Sequence, residues 1–274
     1  MKKVLITGAG SYIGNNIRDY LEREPEKYSV SVKDAIGWEP EVKDFAGIDV
    51  VINVAGITHV KENSKNRQLF FDINRDLAIK IAKKAKTAGV KQFIQFSTMS
   101  VYGMTCGHIT KTTPVSPKDA YGKSKAQADA VIEKLVDDGF RFVCLRPPMV
   151  YGKACKGNYT RLRSFALKFP VFPKYSNQRS MIYVGNLCEF VKECIDECKA
   201  GLFFPQNAEY VNPTEMVKEI AGLHNKKIRL TRAFNWAIKL MPFKVFKKVF
   251  GTLTYEPVDT VAKYGFGESI ELTE

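Results

Sequence analysis

The sequence predicts a doubly wound α/β fold: a parallel sheet with helices on both faces and a small C-terminal region appended to it. Three observations carry this. Strand and helix patterns alternate through residues 1–150 at lengths that suit parallel crossovers. The strand segments are continuous apolar runs, the pattern of strands buried on both faces. A glycine-rich turn follows the first strand directly.

Val4-Leu-Ile6 predicts that first strand. It runs into Thr7-Gly-Ala-Gly-Ser-Tyr-Ile-Gly14, and a helix follows with Ile13, Ile17 and Leu21 on one face. Glycines at 8, 10 and 14 are spaced one residue wider than the standard dinucleotide fingerprint. The physics is unchanged: the backbone can turn tightly and approach a pyrophosphate, and the helix N-terminus faces that anion. A glycine-rich turn without a ligand is the plainer reading; the place directly after the first strand favours binding.

Tyr28-Ser-Val-Ser-Val32 predicts a second strand, ending near Lys33-Asp34. An acidic residue about 20 positions beyond the glycine turn is where a dinucleotide's ribose hydroxyls are expected. Asp34 suits that role and favours NAD. Lys33 suits a 2′-phosphate, which leaves NADP open, and Asp34 also reads as a plain turn residue. The stretch from Asp34 to Phe45 is too short for a full crossover helix plus strand, so this unit is predicted to be abbreviated, with Trp38 and Phe45 covering the gap.

Asp49-Val-Val-Ile-Asn-Val-Ala-Gly56 is the next buried strand, and its small Ala55-Gly56 end lets a ligand lie against the backbone. A helix is predicted from Phe71 to Ala88, with Ile73, Leu77, Ile81 and Ala85 inward and Gly89 as its stop. Val90-Lys-Gln-Phe-Ile-Gln-Phe96 then delivers Ser97-Thr-Met-Ser100 to the carboxyl end of the sheet, where ligands bind in open parallel sheets. A helix from Tyr121 to about Asp137, stopped by Gly139, precedes the strand Phe140–Arg146, which Pro147-Pro148 terminates.

From Tyr151 to Arg179 the sequence reads as loops rich in aromatic residues and proline. Short helices are predicted near Val184–Cys198 and Pro213–Leu223. The expected organisation is 1–150 as the dinucleotide-binding domain and 151–274 as a substrate-binding region partly interwoven with it. Phe234–Phe250 is apolar and basic, and Pro242 interrupts it. It reads as a helix covering the second region rather than as an element lying on a membrane, so membrane contact is not expected.

The helix that opens at Tyr121-Gly-Lys-Ser-Lys125 carries the chemistry. Positions i and i+4 share a helix face, which puts a phenol and an ammonium within reach of each other. A nearby positive charge lowers a phenol's pKa and makes it a general acid/base. Any helix surface can hold such a pair by accident, so the weight falls on the surrounding motifs.

The 45% hydrophobic and 26% charged composition of the 274 residues is that of a globular protein with a sizeable core. A net charge of +13, spread along the chain, suits anionic small molecules, and no nucleic-acid signature accompanies it. The six cysteines form no CxxC pair and only three histidines are present, so no zinc-ligand spacing emerges and no metal is expected. Reduced thiols in a cytoplasmic protein are the expectation. The N-terminal apolar run is too short for a signal sequence, and no run approaches 18 apolar residues. His59 reads as a solvated loop histidine.

Together these stretches resemble the extended short-chain dehydrogenase/reductase family, in its NAD-dependent nucleotide-sugar epimerase/dehydratase branch. The resemblance rests on Thr7–Gly14, Asn53-Val-Ala-Gly56, Ser97-Thr-Met-Ser-Val-Tyr-Gly103, Tyr121–Lys125, Leu145-Arg-Pro-Pro-Met-Val-Tyr-Gly152 and Arg179-Ser-Met-Ile-Tyr-Val184. It implies a Rossmann-like fold and NAD contacts at Gly8, Gly10, Ser11, Tyr12, Ile13 and Gly14. Further cofactor contacts fall at Asp34, Ala55, Gly56, Tyr121, Lys125 and Pro147. Tyr121 is the implied acid/base, Lys125 the ribose ligand, and Thr98 the partner of the sugar oxygen, with Ser97 and Ser100 as alternatives. Asn158 and Arg179 are the implied contacts of a UDP group. Relatives that eliminate water carry an Asp-Glu pair after the threonine; this chain has Met99-Ser100, which speaks against that chemistry.

The activity implied is 4-epimerisation of a UDP-glucose/UDP-galactose-type sugar through a transient 4-keto sugar, in cell-surface polysaccharide synthesis. A homodimer is compatible with the resemblance. A reductase or dehydrogenase acting on a nucleotide sugar and a non-catalytic dinucleotide-binding protein are the other readings.

Overall fold

The computed structural model describes residues 1–58, 60–233, 235 and 250–274. His59 and all of Phe234–Phe250 except Asn235 and Phe250 therefore lie outside the described residues. The chain divides into two compact units. One holds Met1–Gly103, Pro114–Pro147 and Cys188–Phe203; the other holds Met104–Thr113, Pro148–Leu187 and Phe204–Glu274.

The first unit is built on β1 (Lys2–Thr7), β2 (Tyr28–Lys33), β3 (Val50–Asn53), β4 (Gln92–Phe96), β5 (Arg141–Leu145) and β6 (Gly201–Phe203). All pair in parallel in the order β6-β5-β4-β3-β1-β2. The order reverses between β1 and β3, and in an open parallel sheet the crevice beyond the carboxyl ends at such a point is where ligands bind. Helices α1 (Tyr12–Leu21), α2 (Arg67–Phe71), α3 (Ala78–Thr87) and α4 (Ala120–Glu133) belong to this unit. Leu5, Val51 and Phe93 pack with Ala78, Ile81 and Ala85 of α3 and Ile132 of α4 into one core. The abbreviated segment after Asp34 contains a single tight helical turn, Val42–Phe45. Phe45 is fully buried, and the Trp38 ring lies 5.8 Å from it against the same core.

Three helices depart from their predicted form. A π-turn, Asp72–Leu77, joins α2 to α3. Its extra residue shifts the phase, so Asn74, Ala78, Ala82 and Ala85 are buried while Ile73 and Leu77 are only partly so. Helix α4 stops at Glu133, short of Asp137, because Asp137 and Phe140 exchange backbone hydrogen bonds across a turn that feeds β5. Residues 158–168, predicted as loop, form a helix.

That helix, α5 (Asn158–Lys168), lies in the second unit with α6 (Pro213–Leu223) and α7 (Phe266–Glu271). Tyr159, Leu162 and Ala166 are its buried residues, at the i, i+3, i+7 spacing of a helix stripe. The sheet content of this unit is short parallel pairs, among them Val171–Pro173 with Arg229–Thr231 and Met149–Tyr151 with Met181–Tyr183.

Candidate active site

The glycine turn sits at the carboxyl ends of β1 and β2. Register pairs Thr7 with Lys33, and the Lys33 carbonyl accepts from Gly8 N at 2.8 Å and Ala9 N at 3.3 Å. Each glycine answers a different demand. Gly8 and Gly10 have φ +98° and +76°, a region L side chains disfavour. A Cβ on Gly8 would lie 3.0 Å from the Ala55 backbone, and one on Gly14 would lie 2.9 Å from Val54 Cγ2. Beside Gly10 there is open space, with nothing within 4 Å of the Cβ position. Ser11 caps α1, its Oγ accepting from Gly14 N at 3.3 Å, and Tyr12 and Ile13 open that helix. Asp34 is exposed beside this turn, where its Oδ1 accepts from Ile36 N at 3.0 Å. The Lys33 ammonium lies 5.4 Å from the Trp38 ring centroid.

A buried polar ladder joins the strand ends. Thr7 Oγ1 donates to Asn53 Oδ1 at 2.5 Å, and Asn53 Nδ2 donates to Gln95 Oε1 at 2.7 Å. It ties the registers of β1, β3 and β4, since unpaired buried polar groups would be costly. Past β3, Ala55 is buried and Gly56 leaves room that a side chain would fill: its Cβ would stand 2.8 Å from Asn74 Oδ1 and 3.1 Å from Lys125 Nζ. Asn74 holds that segment by accepting from Ile57 N at 2.7 Å and donating to Ile57 O at 3.1 Å. The π-turn aims this side chain inward.

Tyr121, Thr98 and Lys125 converge here. Asp119 caps α4, accepting from Gly122 N at 2.8 Å. Gly122 lets the first turn of α4 press against the loop after β4, since a Cβ there would come within 2.7 Å of the Ser100 carbonyl oxygen. Thr98 caps the short turn Met99–Tyr102 and is buried. The hydroxyls of Thr98 and Thr58 hydrogen-bond to the Tyr121 oxygen. The Phe70 ring packs edge-on against the Tyr121 ring, 6.5 Å between centroids. Tyr121 is partly exposed as a residue, but its hydroxyl end is enclosed.

The electrostatics differ from the simple pairing that the i, i+4 spacing predicts. Burial pushes the Tyr121 phenol up, above its ordinary value, and the Thr98 and Thr58 hydroxyls oppose that rise. The Lys125 ammonium donates to the Phe96 carbonyl at 2.8 Å. Burial lowers its pKa to about 8, a fall that Asp129 and Cys144 resist.

Beneath the lysine, Asp129 forms a network that sequence reasoning missed. Its Oδ2 accepts from Ser97 Oγ at 2.6 Å and lies 3.3 Å from Arg146 Nη2, while Arg146 Nη1 donates to the Tyr102 hydroxyl at 2.8 Å. Burial raises the Asp129 carboxyl, and Arg146 and Ser97 hold it down. The Pro147 carbonyl accepts from Met99 N at 3.3 Å, which ties the end of β5 to the Thr98 turn. Asn74 carried a signal: an asparagine inside a predicted helix competes with the helix backbone and needs a partner. Thr58 carried none.

Two predicted residues belong to the second unit. Asn158 is exposed at the first position of α5. Arg179 is partly buried, its Nη1 donating to Gly251 O at 2.7 Å, and burial lowers its pKa. Tyr159 and Arg163 of α5 anchor to the Glu274 carboxylate at 2.6 Å each.

The residues present fit a dinucleotide: a glycine turn at the switch point, open space at Gly10, a side-chain-free edge at Gly56, and a buried ammonium with donors left beyond its one bond to Phe96. A doubly wound sheet with a threonine, tyrosine and lysine gathered beside such a turn is the arrangement of the extended short-chain dehydrogenase/reductases. The chain belongs to the NAD-dependent epimerase/dehydratase family, whose profile matches residues 4–202. NAD is that family's cofactor.

Among its relatives, a UDP-glucose 4-epimerase of Vibrio cholerae is 28% identical over 277 residues, covering 91% of this chain and 83% of the relative. An N-acetyl-alpha-D-glucosaminyl-diphospho-ditrans,octacis-undecaprenol 4-epimerase of Escherichia coli O157:H7 is 27% identical over 82% of this chain and 73% of its own. The crystal structure of UDP-glucuronic acid 4-epimerase from Bacillus cereus, in complex with NAD, shares the fold with a TM-score of 0.78 at 16% identity, over 98% of this chain and 96% of that one.

Proposed function

We propose that this protein is an NAD-dependent 4-epimerase of a nucleotide sugar of the UDP-glucose/UDP-galactose type. The observation that carries the reading is the convergence of Thr98, Tyr121 and Lys125 beside the Gly56 edge of the switch point. Tyr121 takes the proton of the sugar's 4-hydroxyl and later returns one to the 4-keto oxygen. The Thr98 hydroxyl holds the tyrosine oxygen and the substrate oxygen in register. Lys125 holds the ribose of the cofactor and supplies positive charge at the strand end. NAD, when bound, supplies a hydride acceptor that gives the hydride back, so none is consumed in a cycle. Asn158 and Arg179 are the proposed diphosphate contacts, since a guanidinium suits two phosphate oxygens at once. Met99 and Ser100 offer no acid and base for eliminating water.

Lipid-linked sugar diphosphate is a second substrate class, supported by the 27% identity to the undecaprenol-linked sugar epimerase. Purified protein incubated with UDP-glucose, UDP-galactose, their N-acetyl counterparts and polyprenyl-diphosphate N-acetylglucosamine separates the classes by product. The expected result is interconversion at C4 with no net change in reduced-nicotinamide absorbance. Stoichiometric consumption of NADH or NADPH would make the protein a reductase. Tyr121→Phe is expected to lower turnover by roughly 10²–10⁴-fold with NAD affinity retained.

A further inference from the structure

We infer that the second unit carries a docking face for an anionic lipid membrane. Two stretches of the chain hold no Asp or Glu at all, residues 139–188 and 220–255. The parallel pairing of Val171–Pro173 with Arg229–Thr231 brings them side by side, Val171 opposite Arg229.

Large apolar side chains stand in solvent on this face. Phe165, Phe169 and Val171 are 47%, 52% and 40% exposed. The Phe165 and Phe169 rings are 5.2 Å apart, and Phe165 leans on the buried Phe172 ring at 6.2 Å. Cations surround them. The Lys226 ammonium hydrogen-bonds to the Leu167 carbonyl at the end of α5, and Lys168, Lys227 and Arg229 are exposed. The acidic side chains of the elements packed here are partly engaged. Glu215 of α6 pairs with Lys218 at 3.8 Å, and the Glu274 carboxylate is taken by Arg163, His224 and Tyr159; Glu219 is exposed on α6.

Exposed aromatic rings rimmed by lysine and arginine in acid-free stretches complement one surface best. The rings enter the boundary between headgroups and acyl chains, and the cations meet lipid phosphates. Each cation that reaches an anionic leaflet strengthens attachment by roughly five-fold. Among the described residues no helix is long and apolar enough to cross a membrane, so the attachment is peripheral. The residues of this face are not those of Phe234–Phe250, the segment whose sequence pattern does not predict membrane contact.

Co-sedimentation of the full protein with vesicles tests this. Phosphatidylcholine vesicles containing phosphatidylglycerol should pellet the protein at about 100 mM salt and release it at about 500 mM; pure phosphatidylcholine vesicles should not. The triple variant Lys226→Glu/Lys227→Glu/Arg229→Glu, and separately Phe169→Ser, should weaken pelleting by roughly ten-fold or more. NAD affinity and turnover of a soluble nucleotide sugar should stay unchanged in both, which also shows that the variants fold. No pelleting of the parent protein, equal pelleting by neutral vesicles, or loss confined to charge reversals within residues 236–249 would overturn the inference. So would a mass doubling in solution that the same variants abolish, since a second copy of the chain would then cover the face.

Discussion

At Tyr121, burial and hydrogen bonding act against each other. The enclosed hydroxyl is pushed up by burial, and the donors Thr98 and Thr58 stabilise the phenolate. A hydrogen bond to a charged group contributes about 1.5–3 kcal/mol, and one pH unit corresponds to about 1.4 kcal/mol. Thr58→Val should therefore move the acidic limb of the kcat/KM profile upward by roughly 1–2 pH units. An unmoved limb would remove Thr58 from the proton path. Lys125 gives a second signature at this scale. The unfolded chain keeps the lysine proton to its ordinary 10.5, while the folded chain releases it near 8. Between those values the unfolded state binds more protons, so this residue makes stability rise with pH. Below the window the buried cation is a constant penalty on the order of 3–4 kcal/mol. Lys125→Met should thus gain most, relative to the parent, at pH 7, and the gain should shrink towards pH 10. Urea unfolding across that range measures it; parallel curves would contradict it.

Among the elements, α4 and the helix pair α2–α3 do most to position the site. Gly122 is the contact point between α4 and the Ser100 carbonyl. Gly122→Ala must push the helix's first turn away, and Tyr121 with it. A displacement approaching 1 Å costs up to about 10²-fold in rate, so turnover should fall at least several-fold while NAD affinity changes less. Full activity in this variant would show that the α4 contact does not set the tyrosine's position. Strands β1 to β5, the glycine turn and the Tyr121 helix were legible in the sequence because each rests on local pattern. Asn74 was not placed, because the π-turn that rotates it inward is a tertiary accommodation: the helix stripe and the asparagine compete for one face. Helix α5 escaped because Gly157, which precedes it, offers no side-chain cap, and its stripe lies among aromatic residues and prolines. Asp129 was missed because its partners Ser97 and Arg146 come from other elements.

For the molecule as a whole, the net charge of +13 sets a field that favours dianionic substrates. Raising ionic strength from about 50 to about 300 mM should raise KM for a nucleotide sugar several-fold and leave kcat nearly unchanged. An insensitive KM would mean that recognition is local to groups such as Arg179. Lys and Arg are spread along the chain, but residues 139–188 and 220–255 hold no Asp or Glu to offset theirs, and that underlies the membrane face of the second unit. The most direct test of the central claim is product analysis by NMR after incubating the parent protein and Tyr121→Phe separately with UDP-glucose and catalytic NAD. The expected result is UDP-galactose from the parent at equilibrium ratio, no accumulation of reduced nicotinamide, and a Tyr121→Phe variant that binds NAD but turns over at least roughly 10²-fold more slowly. A variant as fast as the parent, or product formed only as reduced nicotinamide is consumed, would contradict the account.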